Sequence, residues 1–183
     1  MKKAFALFLT VIMVVLLVAC GEAHPFDTTN LSRDEINTLA QIFNSETIED
    51  AINIATTNRI GRREDINLDT IEVNEAFGSI SIQLSRDMYT SPSRTLQTML
   101  EETRFILSRI QIREDVQEIV FLWGLPFLDA QDNEFYDTAL MLRYGRNTLD
   151  NVNFRRVLTV TNDMIDYADL HFMHHVFQQA LDS

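Results

Sequence analysis

Three aspartates and three histidines crowd the segment DMIDYADLHFMHH at residues 163–175, which makes it the densest group of metal-binding side-chain types in the chain. His171 and His175 are four residues apart, the spacing that lets two imidazoles on one helix bind a single zinc ion. At 100° per residue, the same helical face also holds apolar side chains, namely Val157, Val160, Met164, Ala168 and Phe172. A zinc site at His171 and His175 is therefore one interpretation. The sequence favours the other, in which both histidines lie at the edge of the core and bond to backbone or carboxylate groups.

Signatures of catalysis are missing from the sequence. The hydrolase patterns G-x-S-x-G, S-x-x-K and H-E-x-x-H do not occur, and the chain has only five glycines, none in a phosphate-binding loop. The one cysteine is Cys20, so no second thiol can act as a nucleophile or form an internal disulfide. We therefore expect no catalytic residue, no enzymatic activity and no cofactor other than a lipid on Cys20 or, as the less favoured alternative, zinc.

The first twenty residues, MKKAFALFLTVIMVVLLVAC, have a basic start, an apolar run and the ending L-V-A-C. This order resembles the signal peptide and lipobox of bacterial lipoproteins. The resemblance implies that residues 1–19 are removed and that Cys20 carries the lipid, palmitate included. Residues 20–30 would then be a polar tether and residues 31–183 a single α+β domain. The expected location is the extracytoplasmic face of the cell membrane, with the protein held there by its lipid.

The charge of the mature chain is unusual. Both lysines precede residue 4, so the chain from Cys20 onward has 13 basic residues, all arginine, against 27 acidic ones, a formal charge of −14. Such a chain lacks the basic surface that nucleic acids or anionic membranes require. Because arginine stays charged at pH values where lysine loses its proton, we hypothesise that the protein works on the surface of an alkaliphilic bacterium. Compositional drift is the alternative.

Hydrophobic periodicity predicts the order of the elements. Ser32 and Glu35 have capping-box spacing at the start of a helix that extends to about Asn44, and a second short helix follows from Ser45 or Thr47. Two strands then surround Gly78. Further elements are a helix from Pro92 to about 110, a central strand near 119–123, a returning strand near 135–144, and a final helix of about 25 residues from Asn153.

These elements predict an α+β fold in the form of a two-layer sandwich. A mixed four-stranded sheet in ββα-ββα order would carry two long helices on one face, and the short N-terminal helices would cover the other face or an edge. If the second and third strands are neighbours, the helix between them makes a right-handed parallel crossover.

The end of the chain, DAQDNEFYDTALMLRYGRNTLDNVNF with DYADLHFMHH, resembles the C-terminal part of uncharacterised small surface lipoproteins of Gram-positive bacteria. The shared features are a D-x-x-x-N-like turn, a returning strand, an N-F-like helix start and an A-D-x-x-x-x-H-like end. This resemblance implies no known activity.

Two apolar groups are candidate binding surfaces. Trp123, Pro126 and Phe127 lie where the central strand ends, so they would line a pocket or partner surface, or else fill the core and stop the strand. A second group lies opposite the His171 face of the predicted C-terminal helix and would support self-association as a homodimer: Leu170, Met173, Phe177 and Leu181.

The favoured interpretation is that the protein is a lipid-anchored, non-catalytic interaction module with an unknown protein partner. In one form of this interpretation, it self-associates through its C-terminal helix. The alternatives are a solute- or metal-binding surface lipoprotein and a surface-exclusion lipoprotein of the kind that prophages encode.

Overall fold

The computed structural model describes residues 31–57, 65–89, 91–128, 131–157 and 160–181. The predicted signal peptide, Cys20 and the tether lie outside these ranges. Six helices are found within them: α1 (Arg33–Phe43), α2 (Ile48–Thr57), α3 (Pro92–Ile110), α4 (Arg146–Asn151), α5 (Val160–Asp166) and α6 (His175–Leu181). The strands are β1 (Ile66–Asn74), β2 (Ser79–Arg86), β3 (Glu118–Leu128), β4 (Glu134–Gly145) and β5 (Leu170–Met173).

Side-chain caps start the first two helices, as the sequence predicts. The Glu35 backbone N–H donates to Ser32 Oγ at 3.3 Å, and Glu35 Oε2 accepts from the Ser32 backbone N–H at 3.0 Å, which completes a capping box. Thr47 Oγ1 accepts from the Asp50 backbone N–H at 3.0 Å in the same role for α2. Both helices therefore begin where their sequence signals place them.

The five strands form one mixed sheet in the order β1-β2-β3-β4-β5. Neighbouring strands are antiparallel except for β2 and β3, which are parallel and joined through α3. The parallel pairing predicted for the second and third strands is confirmed.

Gly78 fixes the start of β2. Its φ of +62° is a conformation that residues with a side chain rarely adopt, and an added Cβ would lie 2.1 Å from the Asp115 carbonyl oxygen. The Gly78 carbonyl oxygen accepts from the Gln117 backbone N–H at 2.8 Å. This close approach aligns the beginning of β2 with the beginning of β3.

Alternate residues of the strands build the core on the side of the sheet that the helices cover. Ile82, Phe121 and Leu142 lie side by side on β2, β3 and β4 and are fully buried. Tyr144, also fully buried, donates its hydroxyl to the Met164 carbonyl oxygen of α5 at 2.6 Å. Buried residues from α1, α2, α3, α5 and α6 belong to the same core, so these helices share one side.

The prediction of a 25-residue C-terminal helix is wrong. The chain forms the short α5, then β5 at the sheet edge, then the short α6. Asp169 causes the break: its backbone N–H donates to the Arg143 carbonyl oxygen at 2.9 Å, and its carboxylate accepts from the Gly145 backbone N–H and from Thr148 Oγ1. These three bonds to β4 and α4 hold residues 170–173 against β4 as a strand.

The prediction is therefore right at the level of an α+β fold with a mixed sheet and wrong in its details. The described sheet has five strands instead of four, and α3 is the single long helix within the described residues. Of the described helices, none has the length and apolar character needed to span a membrane.

Candidate functional site: the open face of the sheet

The side of the sheet opposite the helices is called here the open face. It consists of the strand residues that alternate with the core positions, and one row across it runs Gln83, Leu122, Met141 and Phe172. Whereas the core residues beside them are fully buried, these side chains are half-buried or exposed. The strand period of two thus assigns every second residue of β2, β3 and β4 to a surface.

A groove of about 540 Å³ crosses the open face and is called the polar trough. Its lining residues are Asn67, Asp69, Gln83, Ser85, Leu122, Gly124, Tyr136, Asp137 and Thr138. They come from four neighbouring strands, β1 to β4, and none of them is an arginine, a lysine or a histidine. Among the described residues, the trough therefore offers hydroxyls, carboxamides and a carboxylate, with no positively charged side chain in the lining.

Gly124 forms the floor of the trough. It lies between Ser85 on β2 and Thr138 on β4, at the point where the β3–β4 register shifts. An added Cβ would meet its nearest neighbour, Ser85 Cβ, at 3.6 Å, which is ordinary contact. No backbone atom lies close enough to Gly124 to exclude a Cβ. The effect of the glycine is to leave space in the trough where a side chain would otherwise stand.

The Asp69 carboxylate gives the trough its negative charge. Asp69 Oδ1 accepts from Ser85 Oγ at 3.0 Å, which orients the carboxylate and leaves its second oxygen for a ligand. Asp137 pairs with the buried Leu125, so its side chain lies on the helix-covered side, and it borders the trough with its carbonyl oxygen, 3.8 Å from a Cβ built on Gly124. Tyr136, whose side chain is 52% exposed, has a pKa above the usual value. Desolvation is the largest cause, and the negative charges of the Asp87 and Glu134 carboxylates add to it.

An apolar patch adjoins the trough and is called the apolar strip. It consists of Val120 and Leu122 on β3, Met141 on β4, and Leu170 and Phe172 on β5. Leu170 and Phe172 are 49% and 48% exposed on an edge strand. Apolar side chains grouped in this way mark binding surfaces more often than singly exposed ones do.

The single helix on which the zinc interpretation of His171 and His175 depended is not formed. His171 lies in β5 and His175 begins α6, so the shared helical face on which the prediction depended does not exist. The ring of His175 instead lies 4.1 Å from that of His174, centroid to centroid. Burial, followed by the charge of His175, lowers the pKa of His174, and the Asp137 carboxylate opposes this shift. Within the described ranges, no group of three or more histidine, cysteine, aspartate or glutamate side chains is arranged to hold a metal ion.

The three residues predicted at the end of the central strand are separated by the structure. Trp123 is fully buried and donates its indole N–H to Thr103 Oγ1 of α3 at 3.0 Å, so it fills the core and lines neither the trough nor the strip. Pro126 is half-buried opposite Tyr136 on β4. Phe127, also half-buried, packs its ring 4.6 Å from that of His174.

The four residues predicted for self-association do not share one helical face. Leu170 is half-exposed on β5, whereas Met173 and Phe177 are buried in the core. The side chain of Leu181 lies outside the description. The long C-terminal helix predicted to mediate self-association is therefore not formed, because residues 170–173 form a strand.

Sequence reasoning missed the polar trough although its signal was present. In SISIQLS, at residues 79–85, the polar residues at alternate positions show that one face of β2 is hydrophilic. The residues that complete the trough, Asp69, Tyr136 and Asp137, come from β1 and β4. Only the order and register of the strands bring them to Gly124 and Ser85.

Comparison with known proteins adds no further assignment. The chain matches no protein-family model, no curated protein and no solved structure. Its function is therefore inferred from its own residues.

Proposed function

We propose that this protein is a lipid-anchored, extracytoplasmic, non-catalytic binding module whose partner covers the open face of the sheet. The observation that carries the proposal is the composition of that face. The oriented carboxylate of Asp69, in a trough of about 540 Å³, lies beside five apolar side chains, two of them about half-exposed. An antiparallel sheet that merely faces water carries mostly polar side chains there, so the apolar strip needs another explanation.

The first twenty residues support the anchored location. Their lipobox-like ending predicts a lipid on Cys20, and the acidic domain adds no attraction to anionic headgroups. The lipid holds only the N-terminus, and anionic headgroups repel the acidic domain, so the sheet stays away from the bilayer surface. A protein partner can therefore reach the open face.

A small solute in the trough is the second candidate function. The trough volume falls within the usual range of ligand pockets, roughly 300–1,000 Å³. Its side chains would bind the hydroxyls or amines of a solute, and Leu122 would contact its apolar part. This candidate differs from the first in leaving Leu170 and Phe172, on the far edge of the sheet, without a role.

Site-specific photo-crosslinking in cells tests the leading proposal. A photoreactive residue replaces Gln83, exposed on the open face, and in a second strain replaces Gln97, exposed on α3. The two positions have the same residue type and differ in the side of the molecule. We expect the proteins of both strains in the membrane fraction, with a discrete protein adduct at Gln83 and none at Gln97.

Two further results would count against the proposal. Equal adducts at both positions would show that crosslinking is not specific to the open face. If no adduct forms at Gln83 while small molecules co-purify with the protein, the solute candidate replaces the leading one. A Cys20→Ser variant should lose labelled palmitate and move to the soluble fraction, and retention of either property would contradict the anchor.

A further inference from the structure

We infer that the occupant of the open face is a basic amphipathic helix of another protein, with its apolar side on the strip and its lysine or arginine side chains in the trough. This inference rests on the proposed function and names the chemistry of the partner. The carboxylate of the trough, the apolar strip and the distance between them together specify that chemistry.

The trough selects a cation. The Asp69 carboxylate lines it, the Tyr136 hydroxyl donates to Asp87 Oδ1 at 3.4 Å, and the carboxylates of Asp87, Glu134 and Asp69 lie close enough to raise the pKa of Tyr136. The acceptors beside them, including the Gln83 and Thr138 side chains, can bond to the remaining N–H groups of an ammonium or guanidinium. An anionic ligand would meet repulsion here and find no basic side chain among the described residues of the lining.

The strip selects an apolar surface of more than one side chain. It occupies three adjacent strands, and strands lie about 4.8 Å apart, so it extends roughly 10 Å across the sheet. Arg143 lies within the strip, and its guanidinium is paired with the Glu118 carboxylate on β3. Because that pair neutralises its charge, Arg143 does not repel a basic partner.

An α-helix lying across the strands fits both parts. Residues i and i+7 of a helix are about 10.5 Å apart on one side, which matches the distance from Phe172 on β5 to Leu122 on β3. Residue i+11 is about 16 Å along and falls over β2, where a lysine side chain can extend to Asp69. Apolar residues at i, i+3, i+4 and i+7 are the pattern of helix-in-groove recognition, and basic residues one turn later would lie over the trough.

Charge excludes the other large occupants. A second copy of the chain from Cys20 onward brings another formal charge of −14 and no lysine, and it would present carboxylates to carboxylates. An anionic bilayer and a nucleic acid are repelled for the same reason.

The test uses purified full-length protein in nanodiscs of zwitterionic lipid. The probes are a synthetic 18-residue Leu/Lys amphipathic helix, a Leu/Glu helix of the same pattern, and spermine. Two variants alter the face: Asp69→Asn with Asp87→Asn, and Phe172→Ser. Their matched controls are Asp34→Asn with Asp50→Asn on α1 and α2, and Phe77→Ser, whose side chain is 74% exposed in the β1–β2 turn.

We expect the Leu/Lys helix to bind and the Leu/Glu helix not to bind. The trough variant should weaken binding about tenfold, against about twofold for its charge-matched control. Phe172→Ser should weaken it about fivefold and Phe77→Ser should leave it unchanged.

Equal losses in the face variants and their controls would overturn the inference by showing general charge attraction. It is also overturned if spermine binds as tightly as the helix and Phe172→Ser has no effect, since the site would then be one for small amines. A dimer in sedimentation that Phe172→Ser dissociates would replace the helix with a second copy. In all three cases a Gln83 adduct in cells still upholds the proposed function, so the two failures are distinguishable.

Discussion

The two faces of the sheet are made from the same strands by alternate residues, and they differ in every physical respect. On the helix-covered face, Phe121 and Leu142 are fully buried, and the one polar group of Tyr144 has a partner in α5. On the open face, their immediate neighbours Leu122 and Met141 are half-buried beside a trough that contains the Asp69 carboxylate.

This contrast separates stability from binding within single strands. A residue that points to the helices contributes through packing and loses its contacts when it is shortened. The residue next to it points to solvent and can change with little effect on folding. Paired substitutions of neighbours are therefore the natural way to test the assignment of the faces.

The largest contrast is expected on β4. Leu142→Ala leaves a cavity in the core and should lower the free energy of unfolding by about 3 kcal/mol. Met141→Ala, one residue earlier on the open face, should lower it by about 1 kcal/mol or less. Urea denaturation measures both, and similar losses for the two variants would contradict the assignment of the faces.

A substitution at Gly78 should affect both faces at once, because this residue sets where β2 begins. Gly78→Ala forces an unfavourable φ and pushes a methyl group against the Asp115 carbonyl oxygen, so we expect a loss of about 2 kcal/mol. Gly124→Ala is the matched control, since its methyl group meets only ordinary contacts and should cost less than half as much. Thermal unfolding compares them, and a larger loss for Gly124→Ala would be the contradictory result.

Alkaline pH should distinguish two tyrosines on opposite faces. Burial raises the pKa of Tyr144 far above its usual value, whereas an unfolded tyrosine ionises near pH 10. The stability that depends on Tyr144 is therefore complete below about pH 10 and declines as the pH rises further. We expect stability to be nearly constant from pH 7 to 10, as the alkaliphile hypothesis requires, and to fall above that range.

Replacing each tyrosine by phenylalanine isolates this effect. Tyr144→Phe should cost about 1 kcal/mol at pH 7, because the Met164 carbonyl oxygen loses its donor, and should flatten the decline above pH 10. The exposed Tyr136→Phe should change neither property appreciably. Loss of folding between pH 7 and 10 in the wild type would contradict the alkaliphile hypothesis.

The smallest effect concerns His174, which lies between β5 and α6 and packs against Phe127 of β3. Burial and the neighbouring His175 lower its pKa, so its contribution to stability is present above about pH 6.5 and is lost as the pH falls below that value. His174→Gln should reduce the decline in stability between pH 7 and pH 5. His171→Gln, exposed on β5, is the control, and an equal change in that variant would refute the explanation.

The sequence predicts most of the elements because their signals are local. The capping box at Ser32 starts α1, and the apolar alternation from Ile80 to Leu84 belongs to β2. The prediction for the C-terminal segment was wrong because its apolar spacing fits a helix, while the hydrogen bonds from Asp169 to β4 and α4 impose a strand. Competition between local pattern and tertiary hydrogen bonds cannot be read from residue spacing alone.

The candidate site was harder to predict than the fold. Trp123 attracts attention as a large aromatic at a strand end, but its position on the helix-covered side of β3 buries it. The trough depends on Asp69 and Tyr136, which are 67 positions apart in the chain. Their proximity follows from the strand order, which includes the parallel pair that α3 connects.

Thiol labelling in living cells tests most directly whether the open face is the covered surface. Cys20 is the only cysteine and is predicted to carry the lipid, so one introduced cysteine becomes the single free thiol. Gln83→Cys and Gln97→Cys are treated with a membrane-impermeant maleimide, in cells and after purification. The account predicts that Gln83→Cys reacts about tenfold more slowly in cells than when purified, since a bound partner that is present most of the time shields it. Gln97→Cys should react at the same rate in both. Equal rates for Gln83→Cys in cells and in isolation would contradict the claim that a partner covers this face.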